Sequence, residues 1–203
     1  MSRKMLFLHV PKTGGTSIRK ALLLKNGVRN LHSTLASPKT QRCLRMHPNQ
    51  YVCGIIRNPL SRAVSLFYYV SQFIDMERGR GRRATRRLSA RFLRCLSLVI
   101  RSSNMSVSEF WVRALTDPKA VGILGGGMYH FNSQSSFVRG RCPTPVHLFP
   151  YEDLQGSLDK ICKDIGASPR TLKVTNTTKH LSVEEELTKE AVEAITSAYS
   201  EDF

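Results

Sequence analysis

A lysine, three hydroxyl side chains and two glycines crowd into one short stretch near the start of the chain, Pro11-Lys12-Thr13-Gly14-Gly15-Thr16-Ser17. An apolar run from Met5 to Val10 leads into it, and a helical pattern from Thr16 to Lys25 leads out. A strand, a glycine turn and a helix start together make a site for a phosphate-like anion. Glycines let backbone N–H groups converge, and the helix dipole adds its attraction. Gly14 and Gly15 supply the close approach, Thr13, Thr16 and Ser17 supply hydroxyl donors, and Lys12 supplies a mobile positive charge. The nucleoside triphosphate loop G-x-x-x-x-G-K-[ST] is excluded, because there the lysine follows the last glycine. Here it precedes both, and no Gly-Lys pair occurs anywhere in the chain.

A second stretch carries chemistry of the same kind. Tyr51 to Ile56 reads as a buried strand and ends in Arg57-Asn58-Pro59. Pro59 suits the first turn of the helix that the pattern predicts from Leu60 to Phe73. Arg62, Ser65 and Tyr68 fall at set offsets along that helix. Taken alone, the segment also admits a plainer reading as a strand, a solvated arginine and an ordinary amphipathic helix.

Taken together, the two stretches resemble the sulfotransferases that use 3′-phosphoadenosine 5′-phosphosulfate (PAPS). The likeness is greatest to the branch that includes the carbohydrate sulfotransferases. "HVPKTGGTS" resembles that family's 5′-phosphosulfate loop, and "GIIRNPLSRAVSLFYY" resembles its second signature. Weaker echoes are "YHFNSQSSFV" around Gln134, "LFPYEDL", "KVTNTTKHLS" and "AYSEDF". Residues 78–101 match nothing in the family.

The resemblance implies a cofactor site of Lys12, Thr13, Gly14, Gly15, Thr16, Ser17, Arg57 and Ser65. In that reading Arg57 and Ser65 hold the 3′-phosphate, which ATP lacks. Lys12 has a second, catalytic role beside the departing 5′-phosphate oxygen. The product is adenosine 3′,5′-bisphosphate (PAP), and no metal is required. The protein would act mainly by positioning and by stabilising charge, as in phosphoryl transfer. A hydroxyl acceptor also needs a base, and histidine titrates in the right range. His32, in "NLHSTLAS", is the first candidate and His47, in "RMHPNQY", the second. A carboxylate such as Glu109 or Asp75, or no side-chain base at all, stays open. His9, just before the loop, reads as a strand-end residue.

The elements that must position these residues alternate. Besides those above, Val146 to Phe149 reads as a strand. Ser106 to Leu115, Leu154 to Ile165 and Ser182 to about Tyr199 read as helices, the first and last opening on capping-box patterns. Strands alternating with helices imply an α/β fold with a central parallel sheet flanked by helices. The resemblance makes it a P-loop-like sulfotransferase fold. A length of 203 residues suits one domain, 1–203.

Charge bounds the partners. The formal net charge is +16, and 11 of the 15 acidic residues follow Tyr151. An anionic partner is expected. Residues 78–101 hold nine arginines, with a predicted helix from Leu88 to Arg101. That segment reads as an Arg-rich insertion or an acceptor-side helix. It could dock an anionic glycan, lie on a membrane surface, or simply be a solvated face. Nucleic acid is the less favoured partner.

Five cysteines without C-x-x-C spacing suit a reducing compartment. No signal peptide or membrane-spanning run is read, so a cytoplasmic or soluble location is expected, or the Golgi lumen if the chain is a fragment. Two rivals to the sulfotransferase stand. One is an inactive polyanion-binding module of the same fold. The other is a nucleotide kinase, which the misplaced lysine disfavours.

Overall fold

The computed structural model describes residues 4–22, 28–31, 33–79, 105–118, 120, 129–173 and 181–203. His32, the predicted helix from Leu88 to Arg101 and the Gly125–Gly127 turn lie outside them. In chain order the elements are β1 (Met5–Leu8), α1 (Gly15–Leu22), β2 (Val28–Leu31), α2 (Pro38–Met46), β3 (Tyr51–Ile56), α3 (Pro59–Gly79), α4 (Val107–Thr116), α5 (Gln134–Val138), β4 (Val146–Pro150), α6 (Leu154–Asp164), α7 (Val183–Glu186) and α8 (Lys189–Ala198). Short 3-10 turns stand at Tyr129–Phe131 and Ser200–Asp202. The chain divides into two compact units, Met1–Asn58 with Ser133–Thr177, and Pro59–Asn132 with Thr178–Phe203.

The first unit is the α/β part. Its four strands are all parallel, in the order β2-β1-β3-β4. Leu8 pairs with Leu31 on one side and with Gly54 on the other. Both faces of the sheet are covered, so β1 is apolar at every position. Met5 and Phe7 pack with Ile18 and Leu22 of α1 and with Leu158 and Ile161 of α6. Leu6 and Leu8 pack with Leu35 and with Cys43 and Leu44 of α2. This is the architecture that the strand–helix alternation implied.

β2 and α2 went unread in the sequence. Val28–Leu31 contains Arg29 and Asn30, which blunts a strand signal. α2 carries its own start signal: Ser37 accepts from the Thr40 N–H and Pro38 opens the helix. Its central residues Gln41, Arg42 and Arg45 hide the apolar spacing of Thr40, Cys43 and Leu44.

The second unit is helical. Phe67, Phe110, Trp111, Phe131 and Tyr199 form the centre of its core. The Trp111 indole donates to the Ala63 carbonyl at 3.1 Å. The Tyr199 hydroxyl donates to the Phe131 carbonyl at 2.8 Å. The helix predicted from Ser182 to Tyr199 is two helices. The turn between them bends at Leu187 and Thr188, and Thr188 caps α8 by accepting from the Ala191 N–H. Both predicted capping boxes form, at Ser106 with Glu109 and at Ser182 with Glu185. Among the described residues no helix is long and apolar enough to cross a membrane.

Candidate active site

The site is built at the carboxyl ends of β1 and β3. These strands are neighbours, yet β1 connects through α1 to β2 on its other side. β1 is thus followed in the sheet by β2 on one side and β3 by β4 on the other, which makes the two strand ends a topological switch point. In open parallel sheets such a switch point is where ligands bind. Lys12 follows β1 and Arg57 follows β3, so topology brings together the two cations that the sequence singled out.

The turn after β1 is tightly specified. Thr13 is buried, and its hydroxyl donates to the Val10 carbonyl at 2.9 Å. Gly14 has φ 71° and Lys12 has φ 67°. Glycine takes the left-handed region freely, but for lysine it costs about 1–2 kcal/mol. Such strain is kept where the site needs it. The Ser17 N–H donates to the Gly14 carbonyl at 2.9 Å, which opens α1. The N–H groups of Gly15 and Thr16 precede that first helical bond, where a helix start offers its donors.

No side chain fits in the cradle. A Cβ on Gly14 would lie 2.8 Å from Leu154 and 3.0 Å from the Tyr151 ring. A Cβ on Gly15 would lie 2.9 Å from the His9 ring. His9 itself is buried beneath the turn, as a strand-end residue.

Arg57 is 8% exposed and is held on several sides. Its backbone N–H donates to Gln134 Oε1 at 2.9 Å, and its carbonyl accepts from Gln134 Nε2 at 2.7 Å. Its guanidinium carbon stands 4.1 Å from the centre of the Tyr151 ring. One guanidinium nitrogen reaches the Lys12 carbonyl at 3.4 Å. The next residue, Asn58, donates its backbone N–H to Glu152 at 2.8 Å. Gln134 lies in a segment the sequence reading noticed, but nothing in the sequence announced this clamp. Tyr151 was missed. It lies in the "LFPYEDL" stretch, as the first residue after β4, the strand next to β3, but no role was read for it there.

The electrostatics follow from burial. Loss of solvent and then the nearby Arg57 charge pull the Lys12 amine down from its ordinary value to about 8. Burial also lowers Arg57, opposed by Tyr151 and Glu152. Two cations kept close and partly dehydrated are a poor arrangement without an anion and a good one with a dianion.

The remaining predicted residues are placed as follows. Thr16 and Ser17 lie in the first turn of α1. Ser65 belongs to the second unit, where it is buried on α3. Arg62 and Tyr68, which share its motif, serve the packing of that unit. Arg62 donates to the carbonyls of His130 and Asn132, both at 2.9 Å. The Tyr68 hydroxyl bonds to Glu186.

His47 is placed by the end of a helix. It ends α2 and stands before the amino end of β3, its N–H donating to the carbonyls of Cys43 and Leu44. The length of β3, roughly 20 Å at ~3.3 Å per residue, separates that edge from Arg57. Glu109 is committed elsewhere. It accepts the Ser106 N–H at 2.7 Å, and that bond holds its carboxyl below the usual range. Among the described residues no cluster of three or more His, Cys, Asp and Glu side chains is arranged as metal ligands.

A parallel sheet with a strained glycine loop and an arginine at neighbouring strand ends defines an α/β protein with two cations side by side. The chain matches the model of the sulfotransferase family over residues 2–203 and belongs to that family. Comparison with characterised proteins and with solved structures returns no match.

Proposed function

We propose that this sulfotransferase takes its sulfuryl group from PAPS and passes it to an acceptor hydroxyl, with a carbohydrate as the acceptor class. The observation that carries the reading is that Lys12 and Arg57 stand at adjacent strand ends, where the Arg57 guanidinium donates to the Lys12 carbonyl at 3.4 Å. The glycine cradle that a Cβ would fill suits a 5′-phosphosulfate, and Arg57 suits a 3′-phosphate. When bound, PAPS supplies the sulfuryl group. Lys12 sets an ammonium where charge builds on the departing phosphate oxygen. The N–H groups at the start of α1 hold the 5′-phosphate. His32 is proposed to take the acceptor proton, since it follows in sequence Leu31, the last residue of β2, which pairs with Leu8 of the loop-bearing strand.

Calorimetric titration with adenosine 3′,5′-bisphosphate and with ATP plus magnesium tests the reading on wild type, Lys12→Ala and Arg57→Ala. Selective bisphosphate binding that Arg57→Ala weakens supports it. Equal or tighter binding of magnesium ATP overturns it in favour of a kinase.

A second reading, a polyanion-binding module without activity, has one observation in its favour. Lys39, Arg42 and Arg45 recur every third residue on the exposed side of α2, and no acidic residue occurs before Asp75. It predicts polyanion binding that is unchanged by Lys12→Ala and no transfer of labelled sulfate from PAPS.

A further inference from the structure

The backbone and the side chain of Arg57 are held by different partners. Gln134 grips its backbone through two hydrogen bonds, at 2.9 and 2.7 Å. That grip sets the position of the Cα but leaves the long side chain to be aimed by something else. An arginine carries considerable rotamer entropy, and a guanidinium that wanders binds a phosphate less well. The Tyr151 ring lies 4.1 Å from the guanidinium carbon. An aromatic face engages the flat of a guanidinium, while the N–H donors lie at its edge, in plane. Stacking therefore orients the group without using the donors that a phosphate needs.

The same ring also shapes the other half of the site. Tyr151 and Leu154 are what a Cβ on Gly14 would strike. One side chain thus forms the wall of the 5′ turn and the floor beneath the arginine. Its own position is set by the sheet, since the Tyr151 N–H donates to the Ile56 carbonyl, directly before Arg57, at 2.7 Å.

We propose that Tyr151 is a positioning residue that sets cofactor specificity, holding Arg57 in the orientation that distinguishes a nucleotide with a 3′-phosphate from one without. The inference rests on the PAPS reading above. It assigns Tyr151 no contact with the reacting atoms.

The test compares adenosine 3′,5′-bisphosphate with adenosine 5′-monophosphate, which differ only in the group that Arg57 meets. Binding of both is measured on wild type, Tyr151→Phe and Tyr151→Leu. The expected result is a preference for the bisphosphate in wild type and in Tyr151→Phe, which keeps the ring. In Tyr151→Leu the preference falls about tenfold, between the exposed and the dehydrated values of a cation–π contact, and monophosphate affinity falls by less than bisphosphate affinity. Tyr151→Met, whose flexible chain fills the space against Gly14, replaces the leucine variant if that variant does not fold. A preference that survives loss of the ring overturns the positioning role and leaves the PAPS reading standing. An equal loss for both nucleotides also overturns it, because the ring would then matter only to the 5′ turn. Wild type without any preference overturns the PAPS reading and this inference with it.

Discussion

His9 leaves no room for a side chain at Gly15, the first residue of α1: a Cβ there would come within 2.9 Å of the imidazole. The histidine is buried at the end of β1 and the glycine opens the helix, so the ring fixes how close the helix start comes to the strand end. The backbone donors of the turn are thereby held at the sheet edge beside Lys12.

Gly15→Ala is therefore expected to lower affinity for adenosine 3′,5′-bisphosphate by about tenfold or more, since a displaced N–H donor no longer meets the anion. His9→Ala added to it is expected to recover part of the loss by opening space beneath the turn. Titration calorimetry on the single and double variants checks both. Equal loss in the two would show that the clash is not the cause.

Lys12 gives a pH dependence with a definite sign. Its amine titrates at about 8 in the folded protein against 10.5 as the ordinary value. Between those values the unfolded chain binds more protons than the folded one, so this group makes stability rise with pH there. Below about 8 the charged amine is present in both states and its burial penalty is felt in full. Anion binding runs the other way. A bound phosphate favours the ammonium, so affinity falls as pH rises above about 8 and binding takes up protons. Titrations in buffers of different ionisation enthalpy measure that uptake, which Lys12→Ala should abolish.

Gln134→Ala leaves a buried N–H and C=O of Arg57 without their partner. A loss of about 2–4 kcal/mol is expected, because two desolvated backbone groups go unsatisfied. Chemical denaturation followed by circular dichroism measures it. The variant should also bind adenosine 3′,5′-bisphosphate more weakly, since the Cα of Arg57 is released.

Arg62→Met tests the second unit. Arg62 is 4% exposed and bonds two carbonyls at 2.9 Å. Hydrogen bonds from a charged donor are worth about 1.5–3 kcal/mol each, and methionine recovers some of that through packing. A net loss of about 2 kcal/mol is expected in the denaturation midpoint. A neutral result would mean that water satisfies those carbonyls in the variant.

The local elements were legible where the code is local. β1 and β3 read from continuous apolar runs, because strands buried on both faces need apolar residues at every position. The two capping boxes read from a serine and a glutamate three residues on. The tight turn between β1 and α1 read from Gly14 and Gly15, since glycine takes the left-handed backbone that Gly14 adopts. β2 did not read, because Arg29 and Asn30 interrupt a four-residue strand whose existence depends on its pairing with β1. The break at Leu187 and Thr188 did not read either, since the same side chains suit a continuous helix and a capped restart.

The sequence by itself determined which groups stand out: Lys12 and two glycines in one turn after a strand, and Arg57 at the end of another. Residue type and local spacing decide those, and they survive any change of surroundings. Only the tertiary structure decided what those groups would meet. Gln134 and Tyr151 reach Arg57 from 77 and 94 positions away because β4 pairs with β3 and α5 precedes it. His47 stands at the far edge of the sheet because a parallel strand must cross the whole layer before it presents its next residue to the site. The depressed Lys12 amine is likewise a property of burial and of a neighbouring charge, and neither exists until the strands are side by side.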